Sequence, residues 1–260
     1  MFKIFKYSFF DMIRNRWMFI YMGFFLLVTT VLLMLSNDVT KVIISLTNII
    51  QVLTPLIGIL FGTMYYYSSR EFIELLLTQP LSRKSVFAGV YLGLAMSLSL
   101  SLVLGVTIPM LFFGVFTSSA LSTFLTLLAM SVVLSIVFSL LAFLIAIRYE
   151  DKTKGFGVAI FTWLFFGIIY DGIFLMLLLV FKEYPLEKLT ITLTFFNPID
   201  LARILIILKL EISAMMGYTG AVLQKFLGSL NGTILITVML TLWTVIPFAL
   251  MLRKANKKDF

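Results

Sequence analysis

The sequence predicts an all-α polytopic membrane protein with six transmembrane helices. Hydrophobic residues make up 61% of its 260 residues and charged residues only 12%, about half the charged fraction of an average soluble protein. Six apolar runs are long enough to span a bilayer, since about 20 apolar residues cross its core. Lys and Arg cluster at the ends of these runs. We therefore expect a single transmembrane domain over residues 1–260, without a sizeable soluble domain.

An amphipathic helix is predicted ahead of the first span, over residues 1–16. Phe2, Phe5, Phe9 and Ile13 follow the spacing of one helix face, and the residues elsewhere include Lys3, Lys6, Tyr7, Asp11 and Arg14. This pattern is typical of a helix that lies in the plane of an anionic membrane surface. The alternative is a merely basic tail before the first span.

The six spans are placed at the longest apolar runs. Their expected bounds are Trp17–Leu35, Asn48–Tyr67, Val86–Phe113, Leu121–Ile147, Gly155–Phe181 and Thr233–Leu252. Pro109 is expected to kink or break the third span, because proline removes a backbone donor. Two glycine pairs, Gly58 with Gly62 and Gly89 with Gly93, are expected at helix or subunit interfaces, where small residues allow close approach.

The distribution of Lys and Arg predicts the orientation. The N-terminal arm, the second-to-third loop, the fourth-to-fifth loop and the C-terminal tail together carry 14 of these residues, whereas the opposite short loops carry only Lys41. Because cytoplasmic loops are enriched in Lys and Arg, we expect both termini in the cytoplasm and the chain in the cytoplasmic (inner) membrane. The long loop over residues 182–232 then faces outward.

The loop between the second and third spans, Ser69–Lys84, is predicted to fold as a short helix. Glu71, Glu74 and Thr78 form a polar stripe at i, i+3 and i+7, and Pro80 is expected to end the helix one residue before it. Apolar residues cover the rest of its surface: Phe72, Ile73, Leu75, Leu76 and Leu77. Such a helix is too apolar for open water and too charged for the bilayer core, so it requires a partner surface.

The outward loop is predicted to contain helices. Asn197 is suited to an N-cap, Pro198 to the first helical position, and Asp200 to the first turn. The following apolar run, Leu201–Leu210, is too short to span the membrane and is expected to form an interfacial or partly re-entrant helix. A second helical piece is expected near Ala221–Leu227.

Asp171 is the one formally charged residue near the middle of a predicted span. An ionised Asp at that depth costs at least about 2.5–3.5 kcal/mol, so it is expected to be paired, protonated or facing a polar cavity. No span interior supplies a Lys or Arg partner. Two hypotheses follow: a transport-pathway or proton-linked residue, or a neutral or water-bridged Asp held between helices by Ser, Thr or Tyr.

Composition argues against several function classes. The chain has neither Cys nor His, so it lacks thiolates, the commonest general base and the commonest metal ligand. An intramembrane aspartyl protease needs a second carboxylate at its site, and no other span carries one. There is no G-x-x-x-x-G-K-[ST] loop, so the chain is not expected to hydrolyse ATP itself. Scattered Met residues are more typical of packing than of copper binding. No bound cofactor, metal or nucleic acid is expected.

Two of these stretches resemble the membrane subunits of ABC-2 type transporters, and the similarity covers nearly the whole chain. The second-to-third loop matches that family's acidic-L-L-x-x-P-x-S-R pattern, and Arg14-Asn15-Arg16-Trp17 matches its basic-aromatic start of the first span. The resemblance implies an elbow helix over residues 1–16. It also implies a cytoplasmic coupling helix within residues 69–84 that docks into a separate ABC ATPase carrying ATP and Mg. The implied ATPase-coupling residues are Glu71, Glu74, Leu75, Leu76, Thr78, Pro80 and Arg83.

Within that family the chain is most similar to permeases of the nitrous oxide reductase maturation systems. The similarity lies in Trp163 followed by Asp171, in the N-P-I-D-L-A-R stretch Asn197–Arg203, in the R-N-R-W stretch and in the basic tail. It implies a homodimer and an outward partner, a periplasmic copper-binding β-helix protein, with Asn197, Asp200 and Arg203 as candidate contacts. The implied output is export of a sulfur species or energy for copper–sulfur cluster assembly. An ABC-2 exporter of a lipid, peptide or antibiotic is the alternative.

Overall fold

The computed structural model describes residues 1–36, 38–115, 120–181, 187–209 and 230–257, and they are helical apart from short turns, with no strand among them. A π-helical turn, Phe165–Ile169, joins the helices Lys152–Leu164 and Tyr170–Val180 into one continuous span. The helices are α1 Phe2–Ile13, α2 Arg16–Leu35, α3 Val39–Ser68, α4 Arg70–Leu77, α5 Arg83–Phe112, α6 Leu121–Arg148, α7 Lys152–Leu164, α8 Tyr170–Val180, α9 Glu187–Phe195, α10 Pro198–Lys209 and α11 Leu230–Lys257. The helix predicted at Ala221–Leu227 lies outside the described residues.

Six helical segments are long and apolar enough to cross a membrane, which confirms the six predicted spans. The second starts at Val39 rather than Asn48, because Asp38 caps it by accepting a hydrogen bond from the backbone of Thr40 at 2.9 Å. Pro109 does not break the helix, since α5 continues to Phe112, and the predicted kink stays a prediction. Pro109 lies in the last turn of α5, where loss of one backbone donor leaves the rest of the helix intact.

The centre of the bundle consists of α3, α5 and α6. In their most apolar stretches 56%, 61% and 67% of the residues are buried, against 28% for α2 and 22% for α11. The continuous span from α7 to α8 has no buried residue in the corresponding stretch. Much of its apolar surface is therefore uncovered by the rest of the described chain, and the part that packs against the core includes Phe156, Trp163 and Phe166.

The close packing of α3 on α6 depends on two glycines. A Cβ added to Gly58 would lie 3.3 Å from the Cβ of Phe138, and one added to Gly62 would overlap the Cβ of Ala142. These distances leave no room for a methyl group without movement of a helix. The predicted place of this glycine pair at a helix interface is confirmed.

Small residues also recur at every fourth position along one face of α5. A Cβ at Gly93 would lie 2.5 Å from the Cβ of Ser8 in α1. The hydroxyl of Ser97 donates to the carbonyl of Phe9 at 3.2 Å. Further along, a Cβ at Gly105 would lie 2.6 Å from a backbone oxygen of α2. The stripe receives both helices and comprises Gly89, Gly93, Ser97, Ser101 and Gly105, so the second predicted glycine pair also lies at a helix interface.

The first helix is amphipathic, but its protein-facing side differs from the predicted apolar face. Ile4, Ser8 and Met12 are buried against α5, whereas Phe2 is 75% exposed. The other residues of the predicted face, Phe5, Phe9 and Ile13, are only partly covered. The aromatic face lies beside the contact with α5, in a position suited to lipid.

Side-chain contacts gather four segments at one end of the bundle. The ring of Tyr7 in α1 stacks on Phe72 in α4 with centroids 4.8 Å apart. The hydroxyl of Tyr67, near the end of α3, donates to the carbonyl of Tyr149 after α6 at 2.7 Å. Arg83 Nη1, at the start of α5, reaches a backbone carbonyl in the last turn of α11 at 3.4 Å. The segments α1, α4, the α6–α7 turn and the C-terminal turn of α11 meet at this end, and Lys or Arg residues lie in or next to each of them. We call it the basic end.

Candidate functional site

The hairpin formed by α9 and α10 reaches the middle of the bundle. Its turn lies at Phe196 and Asn197. The indole Nε1 of Trp243 donates to the carbonyl of Phe195 at 3.1 Å, and Trp243 lies roughly 20 Å along α11 at 1.5 Å per residue. The tip is therefore at mid-span depth. Of the two alternatives predicted for this apolar run, this geometry favours the re-entrant one for α10, and its placement in the membrane stays a prediction.

Side chains satisfy the backbone polar groups at this tip. The hydroxyl of Tyr170 donates to the carbonyl of Leu193, and Asn197 Nδ2 donates to the carbonyl of Phe166 in the π-helical turn at 3.0 Å. Asn197 Oδ1 accepts from the backbone of Ile199 at 3.1 Å, which confirms its predicted role as an N-cap. Irregular backbone at membrane depth is tolerated only when its polar groups are paired. The tip meets that condition at these positions.

Arg203 gathers a polar cluster beside the tip. Its Nη1 lies 3.6 Å from Asp171 Oδ2 and 3.7 Å from Asp200 Oδ1. Its Nε donates to Gln51 Oε1 at 3.0 Å, and Asp200 Oδ2 accepts from Asn197 Nδ2 at 2.9 Å. We call these five residues the polar cluster. It links α3, α8 and α10 in the interior of the membrane region.

The structure gives Asp171 a cationic partner that the span interiors lack. The guanidinium comes from the re-entrant α10, so the expected neutral Asp held by Ser, Thr or Tyr is not what the structure shows. Two carboxylates face one guanidinium, which gives the three groups a net negative charge when all are ionised. The hypothesis of a pathway or proton-linked role for Asp171 stays a prediction.

The polar cluster is only partly covered by the described residues. The side chains of Asp171 and Arg203 are 37% and 39% exposed, and that of Asp200 is 14% exposed. A half-exposed ion pair at mid-span depth is costly when it faces lipid. This face of the α7–α8 span therefore requires water or another protein surface beside it.

The three residues predicted to contact an outward partner all belong to the polar cluster. Asn197 is fully buried, so an outward partner would have to displace α10 to reach it. Asp200 and Arg203 pair with each other and with Asp171. Their predicted binding of a periplasmic protein stays a prediction, and their observed contacts are within the chain.

The predicted helix in the second-to-third loop is present as α4, with corrected bounds. It ends at Leu77 and not at Gln79, with Thr78 as the C-cap. Pro80 lies in the exposed turn that follows. Arg83 belongs to the first turn of α5 rather than to the loop helix. Pro80 disfavours the helical conformation only at Gln79, and the helix ends two residues before that position.

One side of α4 is anchored and the other is open. Ile73 is 1% exposed, and Leu76 is partly buried and packs against the core. Glu74 accepts from Arg70 Nε at 2.8 Å, and this hydrogen bond raises the pKa of the Arg70 guanidinium. The side chain of Glu74 is 41% exposed, and its place in the predicted contact stripe stays a prediction. The open face consists of Glu71, Leu75 and Thr78.

Three contributors to the site were missed from the sequence. Gln51 binds Arg203, Trp243 caps α9, and Tyr170 binds the carbonyl of Leu193. Two of them left a weak signal in the sequence. Gln51 is an amide inside an apolar run, and a polar residue at membrane depth faces the bundle interior. Trp243 lies in mid-span rather than in an interfacial aromatic belt.

No protein-family model and no curated protein matches the chain. Among the described residues, no group of three or more His, Cys, Asp or Glu side chains could hold a metal ion. The geometry of α4 and of the polar cluster is therefore the basis for a function.

Proposed function

We propose that the chain is the membrane-spanning subunit of an ATP-driven transporter of the ABC-2 type. The observation that carries this proposal is α4. It is fixed to the bundle on one side, while Glu71, Leu75 and Thr78 are open on the other. A chain without a phosphate-binding loop of its own takes energy from ATP through contact with another protein, and α4 offers a face for that contact.

The attachment of α4 suits it to transmit movement. It lies between the end of α3 at Ser68 and the start of α5 at Arg83, both of which belong to the centre of the bundle. Buried Ile73 and the stack of Phe72 on Tyr7 couple it further to the core and to α1. A shift of α4 by a bound ATPase would therefore displace two central helices and α1 together.

The polar cluster is the proposed transport pathway. Asp171 lies on the α7–α8 span, whose most apolar stretch has no buried residue, and its side chain is 37% exposed beside the 39% exposed Arg203 of α10. A second copy of the chain, as in the homodimer implied by the resemblance, would cover this span and enclose the polar side chains. The cargo would then pass along a protein-lined path rather than against lipid.

The specific form of the proposal is a permease similar to NosY, the membrane subunit of nitrous oxide reductase maturation. It would export a sulfur species or energise copper–sulfur cluster assembly, with a periplasmic copper-binding β-helix protein on the outward side. The support is the N-P-I-D-L-A-R stretch, whose residues cap and anchor the re-entrant tip. Export of a lipid, peptide or antibiotic is the alternative. Recovery of the β-helix protein with the chain from native membranes would distinguish the two.

The first prediction tests the open face of α4. Glu71→Lys should reduce recovery of the copurified ATPase at least about tenfold, since about 1.4 kcal/mol of lost binding has that effect. The matched control is Glu150→Lys, which makes the same charge change at another exposed acid of the basic end. The measurement is ATPase yield per chain after detergent extraction and affinity purification.

Membrane insertion and thermal stability of both variants should match the wild type. Normal ATPase recovery with Glu71→Lys, and again with Leu75→Glu, would overturn the assignment of α4 as the coupling helix.

A further inference from the structure

The basic end contains a cavity whose polar lining is mainly cationic. It lies between the end of α6 and the last two turns of α11 and has a volume of about 850 Å³. One acid, Glu150, also lines it. The cations in its wall are Arg148, Arg253, Lys254 and Lys257. Lining by four cations and one acid gives the cavity a positive potential that favours an anion.

Three of these cations share one face of α11. Leu250, Arg253, Lys254 and Lys257 are spaced i, i+3, i+4 and i+7, and like charges at this spacing repel one another. Among the described residues, none of the four cavity cations forms an ion pair. Arg148 is likewise in the last turn of α6, so the helix dipole favours a basic residue at both helix ends, but it does not explain why the two ends line one cavity.

The cavity is apolar on its deeper side. Ile147 and Leu250 line it, and each precedes the cations on its own helix, so both lie nearer the membrane interior. Leu250 is 43% exposed, which leaves apolar surface available to a ligand. A cationic rim above an apolar floor matches an amphiphile with an anionic head, and basic pockets between transmembrane helices bind such headgroups.

We propose that this cavity binds the phosphate headgroup of an anionic phospholipid, with an acyl chain against Leu250. The bound lipid would relieve repulsion among the cations and bridge α6 to α11. This site is separate from α4 and from the polar cluster, and it holds whether or not the chain couples to an ATPase.

The second prediction tests this site with the full chain in detergent. Phosphatidylglycerol and phosphatidylcholine are titrated onto it, and lipid adducts are counted by native mass spectrometry. Arg253→Gln combined with Lys257→Gln should weaken phosphatidylglycerol retention at least about tenfold, since each cation near an anionic headgroup contributes about fivefold. Lys152→Gln combined with Lys154→Gln is the control, with the same charge change at the basic end but outside the cavity.

The expected result is loss of phosphatidylglycerol adducts in the cavity variant alone, with equal thermal stability of all three proteins. Equal retention by the cavity variant and the control would overturn the proposal. A further arm adds inorganic phosphate to the lipid-bound wild type. Displacement of the lipid by millimolar phosphate would assign the cavity to a soluble phosphate and overturn the lipid assignment.

Discussion

At the scale of single residues, Arg203 organises the interior of the membrane region. Its guanidinium lies within 3.7 Å of two carboxylates and donates to Gln51. The two acids, Asp171 and Asp200, differ in their burial and in their partners. Asp200 is held by Asn197 and is the more buried, whereas Asp171 is the more exposed of the two and pairs with Arg203. Loss of Arg203 therefore leaves two carboxylates without a cation, and loss of the Asp171 charge leaves the pair with Asp200.

The third prediction follows from this inequality. Arg203→Met should lower the free energy of unfolding by about 1–3 kcal/mol, because buried polar groups lose their charged partner. Asp171→Asn should change it by less than about 0.5 kcal/mol while reducing ATP-driven transport. Thermal unfolding in detergent and transport in proteoliposomes are the measurements. Full transport activity of Asp171→Asn would make its role purely structural, and equal stability of both variants would contradict the central place of Arg203.

At the scale of helices, backbone approach decides the packing of the centre. Gly58 and Gly62 bring α3 against α6, and the small-residue stripe of α5 receives α1 and α2. In a bilayer the hydrophobic effect does not drive helices together, so van der Waals packing at such close contacts stabilises their association. The re-entrant hairpin depends on a different device, the capping of its backbone by Trp243, Tyr170 and Asn197.

The fourth prediction tests the α3–α6 contact. Gly62→Ala should destabilise the chain by about 1–3 kcal/mol, because an added Cβ overlaps that of Ala142 and overpacked cores pay this cost. Gly157→Ala is the control, since a Cβ there meets nothing within 4 Å. Alanine favours helices over glycine by up to about 1 kcal/mol, so the control should be neutral or slightly stabilising. Equal stability of the two variants would refute the close packing.

At the scale of the whole molecule, the basic end and the opposite end differ in charge. The segments α1, α4, the α6–α7 turn and the last turn of α11 lie together at the basic end. The coupling proposal requires that end in the cytoplasm, where an ATPase has ATP. The Lys and Arg distribution predicts the same orientation. Because the chain has no Cys, single cysteines can report the side of each end without interference.

The fifth prediction uses this property. In intact cells, a maleimide that cannot cross the membrane should label Lys41→Cys and leave Glu71→Cys unlabelled. After permeabilisation both should react, since both positions are exposed. Labelling of Glu71→Cys in intact cells would invert the orientation and remove the coupling proposal with it.

The sequence by itself determined the six spans, the amphipathic first helix, the short helix near Glu71 and the N-cap at Asn197, because apolar length, periodicity and caps act locally. Only the tertiary structure decided which helices are central and which face of α4 is open. It also decided that Arg203 meets Asp171, while Gln51 approaches from 152 residues away. That meeting depends on a hairpin folding back to mid-span depth, and its stabilising partners lie on three different spans. Pairing across such sequence distances leaves no local pattern to read.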